Sequence, residues 1–362
     1  MLKSAAEYTS TWGGKVDAVI DARDLQIVKN AIEANQLDET INLFPVRLPT
    51  LAMNKYGDSR SRGSYLAWLP AARTTTQRLC DKHRYVAAHQ FTFATASMPS
   101  TIRSLPARTV WGPLAIAQYP ALRSDGSAGL KERLGIAATS QISKRTTENH
   151  TLIVAQNSHT GKFLDKQGIP NVIEPNIVVE PRDKRQPHQQ KITFSGHLIE
   201  RKRPWVCLKV IQHPKLRNFR LHFVGDGPLR STLESYVRQE RLDAQVTFEG
   251  RLTRDDALAA VATSTLLLLP SSREGAPWVV GEAAAMGVPS LVSDISGAGT
   301  VVELSGEMGT SIGEVEDPNA LADRFAQGAI EVSQHADWSP TNRWSASRMP
   351  SLLGRWWDVK SH

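Results

Sequence analysis

The sequence predicts an α/β protein in which parallel β-sheets are covered by helices on both faces. Three observations predict this. Strand-sized apolar runs alternate with helix-sized segments at short intervals. Several of those runs are apolar on both faces, as at Leu266–Leu269. Glycine and charged residues cluster where the runs end and the next helix begins. Strands buried on both sides belong to parallel sheets with helical cover, and such sheets bind ligands on the loops at the carboxyl ends of their strands. The chain has 362 residues, and roughly 150 residues per domain suggests about two domains.

In chain order, residues 16–20, 86–89, 109–111 and 151–155 read as strands with helical matter between them, and 172–176 as a strand running into a turn. Residues 181–190 are charged, punctuated by proline and nearly devoid of apolar side chains, which is linker composition. The expected division is therefore an N-terminal domain 1–180, a linker 181–190, a C-terminal domain 191–339, and a Trp- and Arg-rich tail 340–362 holding one or two helices. In the second domain, residues 191–196 form a strand ending in Gly196, and helical spacing follows over 204–210. Residues 220–225 form the next strand. Pro228 then sits where a first helical turn accepts proline, and Leu229, Leu233, Tyr236 and Val237 mark an apolar helix face. A third strand spans 245–250, and Asp255 with Asp256 places acidic side chains at the positive end of a helix. The fully buried strand 266–269, a helix over 278–286 and a strand over 290–293 complete the alternation.

Composition excludes several classes. The hydrophobic share is 41% and the charged share 22%, ordinary for a globular chain and unlike a disordered, collagen-like or coiled-coil one. No stretch approaches the ~18 consecutive apolar residues of a membrane span, and residues 1–7 lack an apolar signal-peptide core. The 43 basic against 36 acidic residues leave a formal charge of +7. That excess suits an anionic small ligand or peripheral contact with an anionic membrane, and without a long basic tract interleaved with aromatics it does not indicate nucleic acid. Cys80 and Cys207 stand far apart without a CxxC pair, so neither a zinc site nor a disulfide framework is indicated. A reducing, cytoplasmic setting is the simplest expectation, with peripheral association at the inner membrane face compatible with the charge.

Two constellations carry chemistry. In Glu274-Gly275-Ala276-Pro277-Trp278-Val279-Val280-Gly281-Glu282, two carboxylates stand eight positions apart across a strand–loop–helix junction. Backbone N–H groups at the start of the helix favour negative charge, while carboxylates accept bonds from sugar or ribose hydroxyls. Two glutamates at this separation also arise by chance; their placement on a ligand loop favours the functional reading. In Gly196-His197-Leu198-Ile199-Glu200-Arg201-Lys202-Arg203-Pro204, a glycine ends a strand and a cationic cluster precedes a helix. Lys202 can reach a phosphate as a point charge, and Arg201 or Arg203 can bind one bidentately. A solvated basic loop is the commonplace alternative.

From Ile192 to about Leu304 the chain resembles the donor-binding domain of the GT-B retaining glycosyltransferases, specifically glycosyltransferase family 4. Glu274 and Glu282 match the family's E-x7-E motif, within Leu268-Leu269-Pro270-Ser271-Ser272-Arg273-Glu274-Gly275 and Glu282-Ala283-Ala284-Ala285-Met286-Gly287-Val288-Pro289. Phe194-Ser195-Gly196-His197-Leu198 with Lys202 resembles the strand–loop that holds the donor phosphates. Phe223-Val224-Gly225-Asp226-Gly227-Pro228 resembles the next strand–turn, and Val246-Thr247-Phe248-Glu249-Gly250-Arg251-Leu252 the loop that meets the nucleobase. In the first half, His89-Gln90-Phe91-Thr92-Phe93 and Val110-Trp111-Gly112-Pro113 resemble a subgroup with a histidine near the sugar, and Val154-Ala155-Gln156-Asn157-Ser158 and Glu174-Pro175-Asn176 resemble the last strands of the acceptor domain.

The resemblance implies two Rossmann-like domains whose parallel sheets face a central cleft, and transfer of a sugar from a UDP- or GDP-linked donor to a saccharide or lipid-linked acceptor, with retention and without an obligatory metal or other cofactor. Polysaccharide or glycoconjugate biosynthesis is the implied setting. Glu274, Lys202 and His89 are the implied catalytic residues. Donor binding falls to His197, Arg201, Lys202, Arg203, Gly225, Asp226, Arg251, Leu252, Glu274, Gly275, Ala276, Pro277, Trp278 and Glu282, with Glu282 on the ribose and Glu274 on the transferred sugar. His89 is equally readable as a plain strand-end histidine.

Three departures stand out. His197 occupies a position where the family usually has Arg, and a neutral His donates one bond where Arg donates several. Leu114-Ala115-Ile116-Ala117-Gln118-Tyr119 replaces a glycine-rich run. The N-terminal domain is expected to lack its first β–α unit, because only a short polar stretch precedes residues 16–20, and Trp12-Gly13-Gly14 precedes a strand instead of following one. The alternative function is therefore an inactive GT-B-like remnant that binds a nucleotide, a sugar or a partner. An NAD-dependent oxidoreductase is disfavoured by the lack of a strand running into G-x-G-x-x-G.

Overall fold

The computed structural model describes the chain apart from residues 38, 92–94, 117–129, 181–189, 296, 307, 314, 316, 336–337 and 359–362, with residues 130–137 described as backbone only. Among the described residues, twelve strands form three sheets, and every pairing within those sheets is parallel. β1 (Val16–Asp21) pairs β2 (Ile41–Val46). β3 (Ala87–Gln90), β4 (Arg108–Leu114), β5 (Leu152–Ala155) and β6 (Asn171–Ile173) form a second sheet in sequence order. The third contains β7 (Lys191–Ser195), β8 (Arg220–Val224), β9 (Val246–Gly250), β10 (Leu266–Leu269), β11 (Ser290–Ser293) and β12 (Gly309–Ile312), in the order β12-β11-β10-β7-β8-β9.

That last order positions the site. From β7 the chain winds outward through β8 and β9, then crosses back so that β10 pairs the other edge of β7, with Leu266 opposite Ile192 and Leu267 opposite Thr193. The chain leaving β7 and β10 therefore continues into helices on opposite faces, which makes their carboxyl ends the topological switch point of a doubly wound sheet, where such folds form a ligand crevice. The central strands are fixed by burial. Leu266, Leu267, Leu268 and Leu269 are all fully buried, and each contributes about 1.5–3 kcal/mol of transfer free energy. They join Phe194, Phe223 and the helices on both faces in the largest core cluster.

The four-stranded sheet packs Trp111, Ile153 and Leu164 on one face. On the other face Val110 and Val154 meet Ala5, from the helix Leu2–Ser10, and Leu353, Trp356 and Trp357, from the helix Met349–Trp357. The tail thus returns to the N-terminal half. Val179 N donates to Trp344 O at 2.7 Å beside a two-pronged pair of Arg343 with the buried Glu174, at 2.6 and 2.8 Å.

The observed elements shift some expected boundaries. β4 extends to Leu114, and the 172–176 strand is Asn171–Ile173. Pro228 lies in the turn before the helix Arg230–Gln239 instead of inside its first turn. Residues 297–299 open the helix Gly297–Leu304. Residues 181–189 of the expected linker lie outside the described residues.

Candidate active site

The crevice is built from glycines first. Gly196 leaves β7 at φ +151°, and Gly225 leaves β8 at φ +132°. A Cβ on Gly225 would lie 2.1 Å from Gly196 O, so the two strand ends meet at a distance only glycine permits. Gly225 N donates to Gly250 O at 2.8 Å, and Leu198 N to Asp226 O at 3.0 Å. The ends of β7, β8 and β9 are thereby tied together. Asp226 accepts from Gly227 N and stands 3.6 Å from Arg230. His197 is exposed and packs its ring edge against Gly227. Arg251 and Leu252 follow the end of β9, Arg251 exposed and Leu252 half-buried.

The chain then turns back through a 3-10 turn, Glu200–Lys202. Arg203 adopts a left-handed conformation (φ 48°, ψ 47°) before Pro204 starts the helix Pro204–Ile211. This folds Lys202 over Gly196 and into the crevice, where its side chain is 13% exposed.

From β10 the chain delivers Glu274. Its carboxylate is 11% exposed, with Oε1 2.8 Å from Lys202 Nζ and 3.3 Å from Arg201 Nη1. Arg201 Nη1 also donates to Arg273 O at 2.9 Å, and Ser272 N to Arg201 O at 2.8 Å, so the two switch-point loops are zipped along their length. Two cations around one carboxylate leave a surplus positive charge, with Lys202 and Glu274 largely withdrawn from solvent and Arg201 at the surface, an arrangement that favours an anion.

The second carboxylate, Glu282, lies on the helix Trp278–Ala285 and is 6% exposed. Its Oε1 is 2.5 Å from Arg254 Nη2, and the Arg254 guanidinium sits 5.7 Å from the Trp278 ring centre. Ala276 and Pro277 are buried, while Gly275 and the ring of Trp278 reach the surface. Arg254 escaped sequence reasoning, although a cation at the first position of a helix runs against the dipole and so signals an anionic partner.

His89 stands on β3, opposite Val110 of β4. Its Nε2 donates to Gly112 O at 3.0 Å, and its Nδ1 accepts from Trp357 Nε1 at 3.2 Å. Burial pushes its pKa down to about 3, so the ring is neutral with both nitrogens occupied. Its neighbours here are the β4 backbone and the tail helix Met349–Trp357, whose Trp356 and Trp357 rings lie with centroids 5.8 and 6.3 Å from its own. Thr92 and Phe93 of the same motif lie outside the described residues.

Among the described residues, no group of three or more His, Cys, Asp or Glu side chains converges as a metal site, and no helix is long and apolar enough to cross a membrane.

Residues 189–328 match the family model described as Glycosyl transferases group 1. A segment of 106 residues is 38% identical to the putative glycosyltransferase EpsF of Bacillus subtilis, covering 27% of this chain and 27% of that protein. Another of 182 residues is 26% identical to the D-inositol 3-phosphate glycosyltransferase of Nocardioides sp., covering 42% of this chain and 39% of that one. The chain thus aligns with well under half the length of these relatives. Among solved structures it is similar to WaaG, a glycosyltransferase involved in lipopolysaccharide biosynthesis, with a TM-score of 0.54 at 15% identity over 99% of this chain and 90% of that one. It is also similar to Anabaena Alr3699/HepE in complex with UDP-glucose, with a TM-score of 0.56 at 12% identity over 98% and 93%. The fold is GT-B.

Proposed function

We propose that the protein is a retaining glycosyltransferase that moves a sugar from a UDP- or GDP-linked donor to a saccharide or lipid-linked acceptor, without a metal or other cofactor. The observation that carries this reading is the meeting of Lys202, Arg201 and Glu274 at the switch point, with Glu282 on the next helix. The group 1 match spans these residues.

In this reading the donor diphosphate lies against Lys202 and Arg201, which neutralise the charge that develops as the sugar departs. Preorganised electrostatics of this kind is usually the largest catalytic term. Glu274 keeps Lys202 aimed into the crevice and accepts hydroxyl hydrogens of the transferred sugar. Glu282 holds the ribose, with Arg254 sharing its charge and Trp278 walling the pocket. Arg203, His197, Asp226, Gly225, Arg251 and Leu252 line the phosphate and base side, and Gly275, Ala276 and Pro277 supply the loop beneath the sugar. The acceptor hydroxyl attacks from the face the diphosphate leaves, with a departing phosphate oxygen taking its proton. The anomeric configuration is then retained and no enzyme nucleophile is needed. Glycoconjugate or polysaccharide assembly at the inner membrane face fits this chemistry.

The test is transfer from labelled UDP- and GDP-sugars to a saccharide and lipid-acceptor panel, with and without EDTA. The reading expects an EDTA-insensitive product with the donor's anomeric configuration by NMR. An inverted product refutes retention, and the absence of any product refutes the enzyme.

A further inference from the structure

The N-terminus of the helix Ser158–Asp165, in the first half of the chain, is docked on the carboxylate loop of the second half. Asn157 caps that helix. It is 1% exposed, and its Oδ1 accepts from Thr160 N and Thr160 Oγ1, both at 2.9 Å. With Oδ1 so engaged, Nδ2 points the other way and donates to Gly275 O at 2.8 Å. The donors on one side and the carbonyl on the other admit only this amide orientation. The next residue extends the seam: Ser158 N donates to Thr300 Oγ1 at 3.0 Å, and Thr300 Oγ1 to Ser158 Oγ at 3.2 Å.

The carbonyls of the carboxylate loop are held from two sides. Gly297 N donates to Glu274 O at 2.9 Å, and Asn157 Nδ2 takes Gly275 O. The packing is tight, since a Cβ on Gly297 would lie 1.8 Å from Gly275 O. The carbonyl just after Glu274 is therefore fixed by a side chain from the other half of the molecule.

We propose that Asn157 is a positioning residue: its amide latches Gly275 O only when the two halves are docked, and so sets Glu274 against Lys202 as the site is assembled. The catalytic consequence rests on the transferase reading; the latch itself does not. Helix capping alone asks only for an acceptor oxygen, which Ser, Thr or Asp also supplies. The second function asks for a donor as well, and among the usual capping residues Asn carries one that can face away from the cap.

Asn157→Asp separates the two functions. It is isosteric and keeps the cap, but it turns an acceptor toward Gly275 O. An acceptor left facing a part-buried carbonyl is disfavoured by about 1–3 kcal/mol, roughly a 5- to 150-fold change in the latched population. Hydrogen exchange followed by mass spectrometry on the full chain reads this without any substrate. We expect amide exchange over 274–278 to rise at least about tenfold, exchange over 160–165 to stay within about twofold, and Tm to stay within about 4 °C of wild type. Asn157→Ser, which keeps the cap and loses the reach, gives the same pattern at smaller amplitude if the Asp variant fails to accumulate. Unchanged exchange over 274–278, or equal rises over 160–165 and 274–278, overturns the latch. Where transfer is measurable, kcat falls at least about tenfold with the donor KM within about threefold; an effect on KM alone overturns the positioning role. If wild type transfers nothing, the transferase reading fails while the exchange experiment still decides the latch.

Discussion

Replacing Lys202 by Gln tests the centre of the crevice with a change small enough to calculate. At 2.8 Å from Glu274 and an effective dielectric near 20, the pair attracts by about 6 kcal/mol before desolvation is counted. Removing one partner of a buried pair typically costs about 3–5 kcal/mol, because the other charge is stranded. Here Glu274 keeps Arg201 at 3.3 Å, so we expect a smaller loss of about 1–3 kcal/mol, a drop in Tm of about 2–6 °C. Glu274→Gln strands Lys202 in the same way. The double variant removes both charges, so its stability should lie closer to wild type than the sum of the single losses, with a coupling of at least about 0.5 kcal/mol. Transfer should not recover with it: kcat should remain down by about 100- to 1,000-fold, the cost of losing a group set against developing charge. Denaturant melts and initial-rate assays of all four proteins make the measurement. Additive single effects within about 0.3 kcal/mol would show that the two side chains do not act on one another, and the electrostatic account of the crevice would fall.

Three further outcomes follow from the geometry. Glu282→Ala strands Arg254 at the surface and removes the proposed ribose acceptor; donor affinity should fall about 10- to 100-fold by calorimetry, the loss of charged hydrogen bonds. Gly225→Ala places a Cβ 2.1 Å from Gly196 O at φ +132°, so a Tm drop of at least about 4 °C, together with lost donor binding, is expected in thermal melts. His89 has its pKa lowered to about 3 by burial. The unfolded chain therefore binds the extra proton first as pH falls below about 6.5, and stability declines from there down to about pH 3. Between pH 6.5 and 4.5 this histidine should remove about 2–3 kcal/mol, and His89→Gln should flatten that limb in urea melts at stepped pH.

What the sequence made legible follows from burial. β10 and β11 are buried along their whole length, so their apolar runs survive as local signals. β2 and β12 stand at sheet edges. Ile41–Val46 includes Asn42 and Pro45, Gly309–Ile312 includes Thr310 and Ser311, and half-exposed strands of this kind lose the continuous apolar signature. The helix Leu2–Ser10 is short and rich in Ala and Ser, and it is held by packing against a helix almost 350 positions away, which no local window contains. In the candidate site, Glu274 and Lys202 are readable because they sit between a strand and the next helix, and Glu282 because it stands eight positions after Glu274, inside that helix. Arg254 on Glu282, Asn157 on Gly275 and Trp357 over His89 are relations between distant positions, and folding creates them.

The account stands or falls on whether the switch-point crevice binds a sugar diphosphate. The direct measurement is thermal stabilisation across a panel of UDP-, GDP- and ADP-sugars, run in parallel on wild type, Lys202→Gln and Glu282→Ala. A ligand that binds only the native state at about 100 times its Kd adds about 2.7 kcal/mol. The account predicts a rise in Tm for wild type with at least one UDP- or GDP-sugar, diminished in both variants. No rise with any donor, or a rise equally large in all three proteins, would contradict it.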